Sequence, residues 1–152
     1  MSVISEVKID LLNVISYLEK YENALKEAEP LFDLKGQLLE KLCRTHPQYL
    51  VRYDQLLSEI KSLEGIVELR LEEKEGILWK KYNEGYQRQL SGRDIQAYIS
   101  GEVEVVKIKE ILLEVQSYKS QYNAIVEAFK TMGWRLNNIV KLRISELQDT
   151  IL

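Results

Sequence analysis

The sequence contains one cysteine and one histidine, Cys43 and His46, with Arg44 and Thr45 between them. This C-x-x-H spacing is half of a zinc site, but tetrahedral zinc needs four ligands and the chain has no second Cys or His. A lone cysteine also excludes an intrachain disulfide. We therefore predict a buried thiol and an imidazole at a helix end, with no metal and no cofactor.

Carboxylates that could perform acid–base chemistry cluster at Glu72, Glu73 and Glu75. Arg70 and Lys74 adjoin them, which is the pattern of a solvated helix face with ion pairs. The glycines are scattered singly, so the sequence lacks a glycine-rich phosphate-binding loop. A single histidine also leaves little for imidazole-based hydrolysis. The chain is predicted not to be an enzyme.

Positive charge concentrates in two segments of the second half of the chain. Residues 1–75 carry 10 basic and 15 acidic side chains, whereas residues 76–152 carry 11 basic and 9 acidic ones. The first segment interleaves cations with aromatic rings; it contains Lys80, Lys81, Arg88, Arg93, Trp79, Tyr82 and Tyr86. Because cations neutralise phosphates and rings stack on bases, we predict a single-strand DNA-binding surface here. The alternative is a solvated face with buried rings.

The second basic segment comprises Lys130, Arg135, Lys141 and Arg143, with no acidic residue between positions 128 and 145. Lys and Arg along an amphipathic helix usually flank its apolar stripe, and we predict that role for them. The first segment is the preferred DNA site because it lies at a helix end and a connection, where side chains can converge.

Apolar residues recur at spacings of three and four along most of the chain, which predicts an all-α protein. Residues 4–28 are predicted to form one helix, which Pro30 ends. A shorter helix is predicted to end before Pro47, and another to run from Pro47 to a connection at residues 82–92.

Two further signals follow that connection. Ser91 or Asp94 could cap the next helix, because a short side-chain oxygen accepts from the amides of a first turn. Gly101 favours a break near its position.

The longest apolar stripe lies in the last fifty residues and predicts a helix of roughly forty-five residues. Its members keep the three–four spacing over four heptads: Ile111, Val115, Tyr118, Tyr122, Ile125, Phe129, Met132, Leu136 and Ile139. An exposed stripe of this size marks an interaction surface, so we predict a homo-oligomer assembled through this helix. A carboxylate at Phe129 is expected to disperse it.

These features predict an elongated antiparallel helical hairpin or bundle that self-associates through its C-terminal helix. Residues 1–75 would form an acidic helical hairpin region, and residues 76–152 the basic aromatic connection and the long helix, all within one structural unit. No apolar run approaches eighteen residues, and the N-terminus lacks the pattern of a signal peptide. We expect a cytoplasmic protein without membrane contact, located in the host cell if a phage encodes it.

Three stretches of the sequence together resemble a known family. They are Trp79-x-x-Tyr82-x-x-Gly85, Asp94-x-x-x-Tyr98-x-x-x-Glu102, and the long helix with Tyr122, Glu127, Phe129, Arg135, Ile139 and Lys141. Over roughly residues 70–150, this pattern resembles the UvsY-type recombination mediators of T-even-like phages.

The resemblance implies a non-enzymatic helical protein that forms a ring-like homo-oligomer and binds the single-strand backbone with little sequence preference. Its partners would be a RecA-like recombinase, which it helps to load, and a single-strand-binding protein, which it helps to displace. In the family, basic residues just before the aromatic segment contact DNA. The three positions directly before Trp79 are residues 76–78, which carry no charge here. The nearest basic equivalents are therefore Lys74, Lys80 and Lys81.

A second class of function fits the composition. The net charge of −3 and the acidic first half favour a structural or adaptor coiled coil, such as a scaffold or an assembly chaperone, without a role in nucleic-acid binding.

Overall fold

The computed structural model describes residues 2–85 and 89–151, without the side chains of residues 9 and 147–151. No strand occurs among them. The helices are α1 (Val3–Ile9), α2 (Asn13–Ala28), α3 (Leu39–Gly85), α4 (Gly92–Gly101) and α5 (Val103–Ile151), and a 3₁₀ helix (Glu29–Phe32) follows α2. The predicted all-α helical bundle is confirmed. In the described part of the chain, no helix has an apolar stretch long enough to cross a membrane.

The first predicted helix is divided in two by polar side chains. Asp10 follows α1, and its Oδ1 accepts from the Leu12 N–H at 2.9 Å. Asn13 begins α2, and its Nδ2 donates to the Glu6 carbonyl at 3.0 Å. Short polar side chains that bind nearby backbone groups compete with helical hydrogen bonds. The prediction of one unbroken helix is therefore wrong at this point.

The predicted helix end before Pro47 is also wrong, because α3 continues through that residue. Pro47 lacks the N–H that would donate to the carbonyl of Cys43, so the helix has one bond fewer there. Packing on both sides maintains it: His46 and Tyr53 are buried, and each hydrogen bonds to a backbone carbonyl of another helix. Tertiary contacts override the local preference of proline.

The predicted connection after α3 is confirmed in its main features. α3 ends at Gly85, and the Ser91 hydroxyl caps α4 by accepting from the Asp94 N–H at 3.2 Å. α4 ends at Gly101, where the break was predicted.

The chain forms two compact units, and each takes residues from both halves of the sequence. The first unit comprises residues 1–19 and 59–118, and the second comprises residues 20–58 and 119–152. The predicted acidic region, residues 1–75, and basic region, residues 76–152, describe the distribution of charge within one structural unit and stay a prediction.

The core of the first unit is aliphatic. Its most buried side chains are Val7, Val14, Ile60, Leu63, Val67, Ile95, Ile99, Val105 and Val115. Ile95 and Ile99 lie one helical turn apart on α4 and pack with Leu78 of α3 and Val105 of α5. This cluster fixes α4 against the last turns of α3.

The core of the second unit is aromatic. Phe129 of α5 is fully buried, and its ring centroid lies 5.2 Å from that of Tyr53 and 4.5 Å from that of Phe32. His46 faces Phe129, and Tyr53 faces Tyr122, so α3 and α5 run antiparallel in this unit.

The stripe predicted to assemble subunits lies largely within the chain's own core. Val115, Tyr122, Phe129, Met132 and Leu136 are buried, and Ile111, Tyr118, Ile125 and Ile139 are half-buried. The five buried side chains pack inside the chain's own core and are not available to a second copy in this fold. Self-association through this helix stays a prediction.

Candidate nucleic-acid interface

Lys80 and Lys81 lie on the last turns of α3, Lys80 on the side opposite the core and Lys81 closer to it. Leu78 fills the core position of this turn, and both lysines are exposed. They border an open concavity of about 430 Å³ together with Ile77 and Glu84. Among the described residues, neither lysine makes an ion pair, so both ammonium groups are available to phosphates.

Two tyrosines form a stacked pair beside these lysines. The ring of Tyr82 lies 5.6 Å from that of Tyr98 of α4, with 19° between the planes, and the Lys81 Nζ lies 5.6 Å from the Tyr82 centroid. The Tyr82 hydroxyl donates to Glu102. Tyr82 is half-buried, whereas Tyr98 is 50% exposed and offers the more accessible ring.

Tyr98 was not among the residues predicted for the site. The available signal was its position between Ile95 and Ile99, which occupy the core-facing stripe of α4 and leave Tyr98 at its edge.

Trp79 does not share a face with Lys81. Positions two residues apart on an α-helix are separated by about 200°, so the two side chains lie on opposite flanks of α3. A Cβ built on Gly92 would lie 3.6 Å from the Trp79 Cη2, which places the indole against the beginning of α4. Arg93, the next residue, is exposed.

Lys74 is engaged by a carboxylate. Its ammonium forms an ion pair with Glu104, the first acidic residue of α5, and this bond lowers the pKa of the Glu104 carboxyl. The resemblance places Lys74 at a DNA-contacting position, but a paired lysine has less charge to offer a phosphate. Tyr86 and Arg88, also predicted for the site, lie outside the described residues.

The second basic segment is exposed on α5. Lys130 pairs with Glu127 at 2.8 Å, which raises the pKa of Lys130, and Arg143 approaches Glu146 at 3.6 Å. Arg135 and Lys141 have no carboxylate partner within the described part of the chain.

The two residues first considered for chemistry, Cys43 and His46, lie in different surroundings. Cys43 is exposed, so the predicted buried thiol is wrong. His46 lies within α3 and is buried; its Nε2 donates to the Phe129 carbonyl at 2.6 Å, because a carbonyl only accepts. Residues 2–85 and 89–151 hold no group of three His, Cys, Asp or Glu side chains placed to bind a metal ion.

The predicted acidic face on α3 is solvated as expected. Glu72 and Glu73 are exposed, and Glu73 pairs with Arg70 at 2.9 Å. Glu75 approaches Lys109 at 3.8 Å.

Comparisons with protein-family models, with curated proteins and with solved structures find no match to this chain.

Proposed function

We propose that this chain is a non-enzymatic single-strand DNA-binding protein that acts as a recombination mediator. In this role it binds the strand as a homo-oligomer and helps a RecA-like recombinase to load against a single-strand-binding protein. The observation that carries the proposal is the pair of exposed lysines, Lys80 and Lys81, which have no carboxylate partner among the described residues. Lys81 lies over the ring of Tyr82, and that ring stacks on the half-exposed Tyr98. The resemblance to UvsY-type mediators supplies the specific role.

The chemistry of such a site is that of backbone binding. Lys80 and Lys81 neutralise successive phosphates and release counterions, while Tyr98 offers a face on which a base can stack. Neither contact selects a base, so the site favours single strands of any sequence. Two phosphate contacts alone are weak, and a homo-oligomer that repeats the site multiplies them.

A titration of labelled oligo(dT) by fluorescence anisotropy at several salt concentrations tests this proposal. Replacing Lys80 and Lys81 together by Ala should weaken binding and flatten the plot of log K against log salt by about 0.7 for each phosphate that is no longer neutralised. Removing the exposed Lys35 and Lys41 of the second unit changes the net charge equally and should leave both quantities near those of the parent.

Two results would contradict the proposal. One is a parent protein that does not bind oligo(dT) at low salt. The other is a Lys80→Ala, Lys81→Ala variant that binds with the parent's affinity and salt slope. The mediator role has its own readout, which is the recombinase's rate of filament formation on DNA coated with single-strand-binding protein.

The adaptor function is a second candidate, supported by a groove in the first unit. A cavity of about 560 Å³ lies between α1 and α3, lined by Ile4, Ile66 and the 65% exposed Leu69 and by the charged residues Lys8, Glu68 and Glu72. An apolar helix with basic flanks fits such a groove. An adaptor of this kind would not bind oligo(dT) at any salt concentration.

A further inference from the structure

The most accessible indole of the described chain stands in the middle of the second basic segment. Trp134 of α5 is 72% exposed, compared with 41% for Trp79. Burial normally removes large aromatic rings from water, so a solvated tryptophan on a regular helix indicates a binding surface.

Three polar residues share the face of α5 that presents Trp134. At 100° per residue, Lys130, Trp134, Asn138 and Lys141 fall within an arc of about 80°. All four are exposed. One carboxylate adjoins this surface, Glu127, and its charge is offset by the ion pair with Lys130. We call these four residues the Trp134 face.

The exposed apolar residues nearby do not extend this face. Leu142 and Ile144 are both more than half exposed, but they lie about 160° apart around the helix, one on each flank of the Trp134 face. An amphipathic partner helix requires a continuous apolar stripe, and this surface lacks one. A single ring beside Lys141, which has no carboxylate partner among the described residues, instead complements a chain that alternates bases and phosphates.

We propose that the Trp134 face is a second contact surface for single-stranded nucleic acid. A base stacks on the Trp134 indole, the ammonium group of Lys141 contacts the neighbouring phosphate, and the Asn138 amide hydrogen bonds to the base or the phosphate. This inference rests on the proposed function but concerns a different helix and a different compact unit from Lys80 and Lys81.

The two tryptophans of the chain allow a direct measurement. In a Trp79→Phe variant, Trp134 is the sole tryptophan, and stacking on a base should quench its fluorescence when oligo(dT) is added. The reciprocal Trp134→Phe variant leaves Trp79 as the reporter of the surface around Lys80 and Lys81, so the signals of the two surfaces are measured separately. Retained helical circular dichroism in both variants establishes that the fold is intact.

Affinity measurements give an independent result. Trp134→Ala should weaken oligo(dT) binding about tenfold, because no ring remains for a base to stack on, whereas Trp134→Phe should retain most of the affinity. Lys141→Ala should weaken binding and lower the salt slope by about 0.7. Arg143→Ala removes the same charge about 180° around the helix from Trp134 and serves as the matched control.

The outcomes separate this inference from the proposed function. If the parent binds oligo(dT), but the Trp134 fluorescence and the affinity of Trp134→Ala do not change, the Trp134 face is not a contact surface and the function proposed above still stands. If the parent does not bind, both fail. If Trp134→Ala lowers the sedimentation mass and leaves oligo(dT) binding unchanged, the face contacts a second copy of the chain, and the inference is overturned.

Discussion

At the scale of single residues, His46 shows how a residue type associated with chemistry serves packing. Its Nε2 donates to the Phe129 carbonyl, and its ring occupies the space beside Gly133 of α5. A Cβ built on Gly133 would lie 3.0 Å from the His46 Cε1. The glycine inside α5 is therefore explained by the imidazole that packs against it.

Gly133→Ala is expected to destabilise the protein, although alanine is the better helix former by about 1 kcal/mol. The hydrogen bond to Phe129 holds the His46 ring, so the ring cannot move away from the added methyl without lengthening that bond. In a His46→Ala background the methyl meets no ring, and the same substitution should stabilise by about 1 kcal/mol. Urea denaturation of the four proteins measures this cycle.

Gly76→Ala is the matched control for this cycle, because nothing lies within 4 Å of a Cβ built at that position of α3. It should stabilise the parent by up to about 1 kcal/mol. Equal effects of Gly133→Ala in both backgrounds would show that His46 does not constrain position 133.

At the scale of elements, α3 is the helix that sequence patterns described least well. Its 47 residues include Pro47, and the residue before a proline disfavours helical backbone angles. That residue, His46, is buried and hydrogen-bonded to α5. Long-range contacts fix the helical conformation at the position where local preference opposes it.

Pro47→Ala should therefore stabilise the protein by about 2 kcal/mol, because it restores an N–H for the Cys43 carbonyl and removes a ring from the helix interior. Thermal unfolding monitored by circular dichroism measures the change. Gln48→Ala, at the next position of α3, should have a much smaller effect. A Pro47→Ala variant that unfolds at a lower temperature than the parent would show that the helix is adapted to the proline.

At the scale of the whole molecule, the burial of the α5 stripe changes what a substitution at its centre does. Phe129 is fully buried among aromatic rings of its own chain, so Phe129→Ala should lower the free energy of unfolding by about 3–5 kcal/mol. Leu142→Ala, at an exposed apolar position of the same helix, should cost far less. Urea denaturation measures stability, and analytical ultracentrifugation measures the mass of each protein.

Self-association remains a prediction for the parent at micromolar concentration, and sedimentation as a monomer would contradict it. A Phe129→Ala variant with unchanged stability but a smaller sedimentation mass would instead show that the stripe lies in the subunit interface. The expected result is the reverse: reduced stability, with the parent's mass retained while the variant is folded.

The sequence by itself determined the helical class, the end of α2 near Pro30, the Ser91 cap and the break at Gly101, because each follows from spacing, backbone geometry or a hydrogen bond within a few residues. The tertiary structure decided which partners the long stripes have. Periodicity shows that one side of α5 is apolar, but the same pattern serves a partner within the chain or in a second copy.

The same limit applies to the candidate site. The sequence placed Lys80 and Lys81 near aromatic rings, but only the fold showed that Glu104 pairs with Lys74, that Tyr98 stacks on Tyr82, and that Trp134 is exposed. These facts depend on contacts between residues distant in the chain, or on where a neighbouring helix stops covering a face. Local sequence patterns carry no information about either.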